Sequence, residues 1–185
     1  MLDIIHLDKE LLVFLNNLGS EHWDALWLAI TNQFNWAPLF VFIMFLTIKS
    51  FGWKRGGFMV LSMIVLVAFS DQFTNLIKNA TGRLRPINDP EIKDFLRTLI
   101  HPQSFSFMSG HATTSTFFSV FVVLLLKDVF KYIYLILFFP LIFSYSRLYL
   151  GVHFPIDVSV GIIVGTLFAN GYFFLFKKLD NQLFN

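Results

Sequence analysis

The sequence predicts an all-α fold: a polytopic transmembrane helical bundle of five to six membrane helices, with additional interfacial helices at the N-terminus and in one loop. Of its 185 residues, 56% are hydrophobic and only 14% are charged, whereas a soluble domain has about a quarter charged residues. Five segments are apolar over the length of about 20 residues that crosses a bilayer. Lysine and arginine in the short loops then fix an orientation. We expect a single membrane domain over 1–185.

The five apolar segments place the transmembrane core at 36–178. They cover the following ranges: 36–53, 56–78, 111–126, 132–150 and 155–176. Pro140 marks a candidate kink in the fourth segment. Gly161 and Gly165 form a small-xxx-small pair in the fifth, which predicts close packing against another helix.

Residues 1–35 differ from this core. Two apolar segments, 7–18 and 23–34, are interrupted by charged and amide side chains, and each is too short to span a bilayer alone. We interpret them as two helices that lie at the membrane interface or pack against the bundle. A sixth, broken span is the alternative.

Basic residues in the short loops predict the orientation of the bundle. Those between the first two spans, between the third and fourth, and after the fifth share one face: Lys49, Lys54, Arg55, Lys127, Lys131, Lys177 and Lys178. That face is predicted to be cytoplasmic. The loop 79–110 and the turn 147–155 then lie on the outer face.

The outer loop carries a helix signal of its own. Asn88 and Asp89 precede Pro90 and Glu91, an arrangement typical of a helix start. Apolar residues recur at helical spacing from Ile92 onward. The pattern predicts an amphipathic helix over 91–100, either on the outer leaflet or as an equally favoured solvated surface helix.

Three polar clusters interrupt the apolar chain at the outer ends of the spans. Charges near lipid are costly, so they indicate function by default. Lys78, Arg85 and Arg147 form a natural cradle for phosphoryl oxygens, because arginine offers a planar fork of donors and lysine a mobile charge. For Arg83, a cradle role and ordinary interfacial snorkelling are equally favoured.

The second cluster is Ser109-Gly110-His111. Serine before a helix is a good N-cap, and the free amides of a helix start bind anions. Gly110 lets the backbone approach a phosphate, and His111 is a candidate acid for a leaving group. A capped helix with a chance histidine is the alternative.

In the third cluster, Ser146 and Arg147 precede His153 and Asp157, which are four residues apart. A carboxylate at that spacing can hold one imidazole nitrogen and leave the other free to attack. Such a pair is more often structural, but its position beside Arg147 favours a catalytic role.

The composition disfavours other ligands. His111, His153 and Asp157 are surrounded by three cations, which suits an anion better than a divalent metal. His6, His22 and His101 show no ligand spacing. We therefore expect neither a metal nor another cofactor, and a net charge of +2 gives no argument for nucleic acid.

The three clusters resemble the motifs of the type 2 phosphatidic acid phosphatase (PAP2) superfamily. Those motifs are a lysine followed by Arg-Pro, then Pro-Ser-Gly-His, then Ser-Arg-x5-His-x3-Asp. The first and third are complete at Lys78, at Arg85-Pro86 and from Ser146 to Asp157. In the second, Met108 stands where the family usually has proline.

The resemblance implies a metal-independent phosphatase of the bacterial inner membrane. His153 would attack phosphorus and form a phosphohistidine, oriented by Asp157, and His111 would protonate the leaving group and then activate water. The groups holding the phosphoryl oxygens would be Lys78, Arg85, Ser109, Gly110 and Arg147. Implied substrates are phosphorylated membrane lipids: undecaprenyl pyrophosphate, phosphatidylglycerol phosphate, phosphatidic acid or lipid A.

Two other functions stay open at this point. A phosphotransferase would pass the phosphoryl group from His153 to a second lipid instead of water, and only the acceptor would differ. A lipid-binding or transport protein would keep the fold without the chemistry, which a complete set of two histidines and an aspartate disfavours.

Overall fold

The computed structural model describes residues 2–184, with side chains from Ile4 onward, and in this part of the chain every regular element is helical. The predicted all-α fold is therefore confirmed. The six α-helices are α1 (Leu2–Asn17), α2 (Glu21–Thr31), α3 (Ala37–Thr81), α4 (Gly110–Leu126), α5 (Phe138–Tyr149) and α6 (Pro155–Phe184). Four short 3-10 segments join them: Gln33–Trp36, Pro86–Asn88, Lys93–Phe95 and Lys131–Leu137.

Helix α3 folds back on itself at Gly52. That glycine has φ 76° and ψ 172°, a conformation that is open almost only to glycine. A Cβ placed on Gly56 would lie 2.8 Å from the Cα of Ile48, although these residues would be about 12 Å apart along a straight helix. The two arms of α3 thus form a hairpin, and they correspond to the first and second predicted spans.

Three helical stretches in the described chain are long and apolar enough to cross a bilayer: Gln33–Asn88, Lys131–Tyr149 and Pro155–Phe184. The first holds both arms of α3. The third predicted span corresponds to α4, which is only 17 residues long. Most of its side chains are buried among other helices, so α4 forms the centre of the bundle.

Helices α4 and α6 make the closest contact in the bundle. A Cβ on Gly161 would lie 3.0 Å from the carbonyl oxygen of Ser109, and a Cβ on Gly165 would lie 2.5 Å from the carbonyl oxygen of Thr113. The close packing predicted for these glycines is confirmed. It brings the start of α4 against the first turns of α6, where the backbone N–H of Ser109 donates to the carbonyl of Asp157 at 3.1 Å.

Residues 2–31 form the two predicted N-terminal helices, and neither is part of a candidate span. Both pack against α5 near its C-terminal end, and α1 also contacts the start of α6. Their packing against the bundle agrees with one of the two placements favoured above. Their location at a membrane interface stays a prediction.

The amphipathic helix predicted over 91–100 is wrong, because only the 3-10 turn Lys93–Phe95 forms there. Amide side chains of α1 take the backbone groups that a helix would have used. Asn16 accepts from the N–H of Arg97 at 2.7 Å and donates to its carbonyl at 3.2 Å, and Asn17 donates to the carbonyl of Phe95 at 3.1 Å.

Pro140 lies in the first turn of α5, directly after the 3-10 segment Lys131–Leu137. Proline is tolerated in the first turn of an α-helix. The kink expected at Pro140 stays a prediction.

Candidate active site

The three polar clusters meet where α3 ends, α4 and α6 begin, and the turn between α5 and α6 closes. A Cβ on Gly110 would lie 3.5 Å from Lys78 Nζ, which joins the first cluster to the second. Arg85 Nη1 lies 3.2 Å from His153 Nε2, which joins the first to the third. The predicted site residues thus lie together at one end of the bundle, around what we call the pocket: Lys78, Arg85, Ser109, Gly110, His111, Arg147, His153 and Asp157.

Arg85 is 3% exposed and its fork of donors is held by backbone and side-chain oxygens. Nε donates to the carbonyl of Ser104 at 2.6 Å, and Nη2 donates to the hydroxyl of the same residue at 2.9 Å. Nη1 donates to the carbonyl of Val152 at 2.8 Å and also faces His153. These contacts fix the guanidinium plane beside the imidazole.

His153 and Asp157 form the pair that their spacing predicts. Nδ1 of His153 lies 3.5 Å from Oδ2 of Asp157, and both side chains are almost fully buried. The same carboxylate accepts from the N–H of Phe154 at 2.9 Å and from the hydroxyl of Ser106. Its other oxygen pairs with Arg83 Nη1 at 2.6 Å.

The turn that carries His153 lies outside the candidate spans. Burial lowers the pKa of His153 well below its usual range, although the hydrogen bond to Asp157 opposes that shift. The imidazole ring of His153 is therefore neutral. With its proton on Nδ1, toward Asp157, the lone pair is on Nε2, toward Arg85.

Ser109 caps the start of α4, and its side chain accepts from the N–H of Ala112 at 3.5 Å. Gly110 follows in the first turn, between Lys78 Nζ and the hydroxyl of Thr74. Because the first N–H groups of a helix have no intrahelical acceptor, this end of α4 offers donors to an anion beside a lysine.

His111 and Arg147 belong to the part of the site that the end of α2 reaches. The ring of His111 stacks on Phe143, with centroids 4.7 Å apart. Arg147 Nη1 donates to the Thr31 hydroxyl at 2.5 Å, and its buried Nε has no partner among the described residues.

The structure defines a role for Arg83, which the sequence left open, and adds two residues that the sequence did not indicate. Arg83 bridges two carboxylates and stacks 4.0 Å above the Phe154 ring, so interfacial snorkelling is not its role. Its position two residues before Arg85 is the one signal that could have indicated this. Ser106 and Thr31 carried no signal, since a single hydroxyl in a loop or at a helix end has no pattern.

The carboxylate of Asp71 on α3 is exposed and accepts from Asn75 of the same helix at 3.3 Å. Lys78, two turns along from Asp71, is thereby left free to face the pocket.

The charge balance of the pocket suits a phosphate. Lys78, Arg85 and Arg147 face it with donors, while the one carboxylate of the set, Asp157, is already paired with Arg83. Among the described residues, no three histidine and acidic side chains are grouped as a metal site. The arrangement can hold an anion, present a neutral imidazole nitrogen to it, and supply a second imidazole.

Known proteins are similar to this chain in sequence. The chain is 31% identical, over 96% of its length and 80% of the relative, to the lipid A 4'-phosphatase of Bacteroides thetaiotaomicron. It is 26% identical to the lipid A 4'-phosphatase of Porphyromonas gingivalis, over 89% of its length and 70% of the relative. These relatives confirm the predicted enzyme class, a phosphatase.

A solved structure supports the fold. The crystal structure of a transmembrane PAP2-type phosphatidylglycerolphosphate phosphatase from Bacillus subtilis superposes with a TM-score of 0.74. The match covers 98% of this chain and 88% of that one, at 23% identity. Residues 58–180, which hold all three polar clusters, match the family model of the PAP2 superfamily. The chain belongs to the PAP2 superfamily.

Proposed function

We propose that this membrane protein hydrolyses a phosphomonoester or pyrophosphate on a membrane lipid, through a phosphohistidine on His153 and without a metal ion. The observation that carries the proposal is the arrangement around that imidazole. Nδ1 faces Asp157 at 3.5 Å and Nε2 faces Arg85 at 3.2 Å. A neutral histidine so held directs its lone pair at the group that would bind the phosphoryl oxygens.

In the first step, Nε2 of His153 forms a bond to phosphorus while the bond from phosphorus to the lipid oxygen breaks. Lys78, Arg85 and Arg147 stabilise the charge on the equatorial oxygens, together with the N–H groups at the start of α4. Asp157 stabilises the positive charge that the imidazole gains, because its carboxylate faces Nδ1.

His111 supplies the proton that the departing lipid oxygen needs. It is the second histidine of the pocket, stacked on Phe143 opposite the nucleophile. In the second step, His111 takes a proton from a water molecule that attacks the phosphohistidine. Phosphate leaves and His153 returns to its neutral state.

We propose lipid A or a similar phosphorylated glycolipid as the preferred substrate, because two relatives that align over most of the chain are named lipid A 4'-phosphatases. The pocket lies at the end of the bundle opposite the basic loops, which favours a substrate in the outer leaflet. We therefore place the site on the outer face of the bacterial inner membrane.

The experiment compares phosphate release by the detergent-purified chain from four lipids: lipid A, undecaprenyl pyrophosphate, phosphatidylglycerol phosphate and phosphatidic acid. His153→Ala should reduce release about a thousandfold or more, because loss of a nucleophile removes the covalent route. His101→Ala, in an exposed loop, is the matched control and should retain the parent rate.

Two further outcomes decide the rest of the proposal. A chelator should leave the rate unchanged, and activity lost on chelation would overturn the metal-free mechanism. Transfer of labelled phosphate to a second lipid, in place of its release, would show a phosphotransferase. No turnover of any lipid would overturn the phosphatase assignment.

A further inference from the structure

One face of α1 is buried against the turn that carries His153. Asp8, Leu12 and Asn16 recur every four residues, and their exposed fractions are 4%, 0% and 0%. Residues away from this stripe, such as Leu7 and Phe14, are 60% and 61% exposed. A carboxylate in the buried stripe is costly unless its oxygens find donors, so the partners of Asp8 indicate what α1 does.

Two members of the stripe hold the ends of the turn. The amide of Asn16 donates to the carbonyl of Tyr149 at 2.6 Å, immediately before the turn. Leu12 packs on Phe154, the residue after His153. The backbone on both sides of the nucleophile is therefore tied to α1.

Asp8 makes two contacts beyond the turn, and its side chain is only 1% exposed. Oδ1 accepts from the N–H of Ile156 at 2.8 Å, in the first turn of α6. Oδ2 accepts from Arg83 Nη2 at 2.7 Å. The other end of the same guanidinium, Nη1, donates to Asp157, so one arginine joins two carboxylates.

The result is a continuous chain of contacts from Asp8 through Arg83 and Asp157 to His153. Arg83 is the most solvent-accessible member, with 26% of its side chain exposed. Stacking on Phe154 holds the guanidinium plane but leaves it free to rotate within that plane. The buried carboxylate of Asp8 stops that rotation and keeps Nη1 on Asp157.

We propose that Asp8 is a positioning residue for His153, acting through Arg83 and Asp157. The proposal rests on the phosphatase mechanism proposed above, in which Asp157 orients the nucleophile. It gives α1 a part in catalysis, although none of the residues proposed to bind the phosphate lies on this helix. The competing explanation is that Asp8 only caps the start of α6 and stabilises the fold.

The test uses the full-length chain in detergent with three variants. Asp8→Asn keeps the shape of the side chain and removes its charge. Arg83→Lys keeps the charge and removes the fork that bridges both carboxylates. Glu10→Gln is the matched control, because Glu10 lies on the exposed face of α1, 62% exposed, and loses the same charge.

Asp8→Asn and Arg83→Lys should each lower kcat about tenfold and leave KM within about twofold of the parent value. This loss of rate is smaller than the roughly hundredfold loss that a 1 Å misplacement of a reacting group can cause. Asp8→Glu should recover part of the lost kcat.

Orthovanadate, which adopts the five-coordinate geometry of phosphoryl transfer on a nucleophile, should bind about tenfold more weakly to Asp8→Asn. Inorganic phosphate should bind as it does to the parent.

Each outcome separates this proposal from the phosphatase assignment. A parent that turns over lipid while both variants keep its kcat overturns the positioning role and leaves the phosphatase standing. The same holds if Asp8→Asn lowers only the midpoint of unfolding. A parent without turnover whose vanadate affinity still drops in Asp8→Asn overturns the phosphatase and supports the positioning role.

Discussion

At the scale of single residues, the most constrained group in the site is the Asp157 carboxylate. It accepts from Arg83 on one oxygen, and from the Phe154 N–H and the Ser106 hydroxyl on the other. An orienting carboxylate needs this support, since a free one could rotate away from the imidazole. Its geometry is therefore decided by groups outside the set that we propose to bind the phosphate.

Ser106→Ala should lower kcat about ten- to hundredfold, because a hydrogen bond to a charged group contributes about 1.5–3 kcal/mol. The measurement is kcat and KM with the best lipid substrate of the panel. Ser144→Ala is the matched control: its buried hydroxyl has no hydrogen-bond partner among the described residues. Equal rates in the two variants would contradict a role for Ser106 in holding Asp157.

The sequence indicated which side chains meet at the site better than it indicated how they are held. His153 and Asp157 were recognisable from a fixed spacing within one turn. Ser106 and Asp8 were not, because each approaches the pair from a distant part of the chain, 51 and 149 residues away from Asp157. Local spacing carries no information on such contacts.

At the scale of elements, the hairpin in α3 depends on one glycine. Gly52 lies in a region of φ/ψ space where a Cβ is strained. Gly56 then allows the arms to approach at the backbone of Ile48. The hairpin places Ile43 of the first arm with Met59 and Met63 of the second in the main apolar core.

Gly52→Ala should lower the free energy of unfolding by about 1–3 kcal/mol, the usual cost of a strained backbone conformation. Unfolding can be followed by circular dichroism in mixed micelles of mild detergent and SDS. Gly57→Ala is the control: a Cβ there meets nothing within 4 Å, and alanine in a helix stabilises by about 0.5–1 kcal/mol. Equal stability of both variants would show that Gly52 is not strained.

The loop between α3 and α4, residues 82–109, shows how tertiary contacts override local preference. Its sequence favours a helix after Pro90, yet Asn16 and Asn17 of α1 bind the backbone of Phe95 and Arg97. The N–H of Arg97 donates to Asn16 and so can no longer donate to the carbonyl four residues earlier, as it would in a helix. Sequence periodicity contains no information on side chains of another helix that bind the same backbone groups.

At the scale of the whole molecule, the basic loops and the site lie at opposite ends of the bundle. Arg55, just after the α3 hairpin turn, pairs with Asp180 near the end of α6 at 2.5 Å. This contact ties together two of the basic regions that the loop charges assign to the cytoplasm. The same rule predicts that the site faces the outside.

The absence of cysteine from the sequence allows a direct test of this orientation. The two single-cysteine variants are Gln103→Cys and Lys127→Cys. Gln103 lies in the exposed loop beside the site, and Lys127 lies in the exposed loop at the other end of α4. A membrane-impermeant maleimide added to spheroplasts should label Gln103→Cys and spare Lys127→Cys until the membrane is opened. The reverse pattern would place the site in the cytoplasm.

The sequence by itself determined the helical membrane fold and the family, because apolar length and motif spacing are properties of the chain alone. It also predicted the residues that surround the pocket, since each motif is local. Only the tertiary structure decided the fold-back of α3, the loss of the loop helix and the support of Asp157 by Arg83, Ser106 and Asp8. These three features depend on contacts between residues far apart in sequence. A buried charge or amide is stable only when it is hydrogen-bonded, and the packing of the helices determines which partners are within reach.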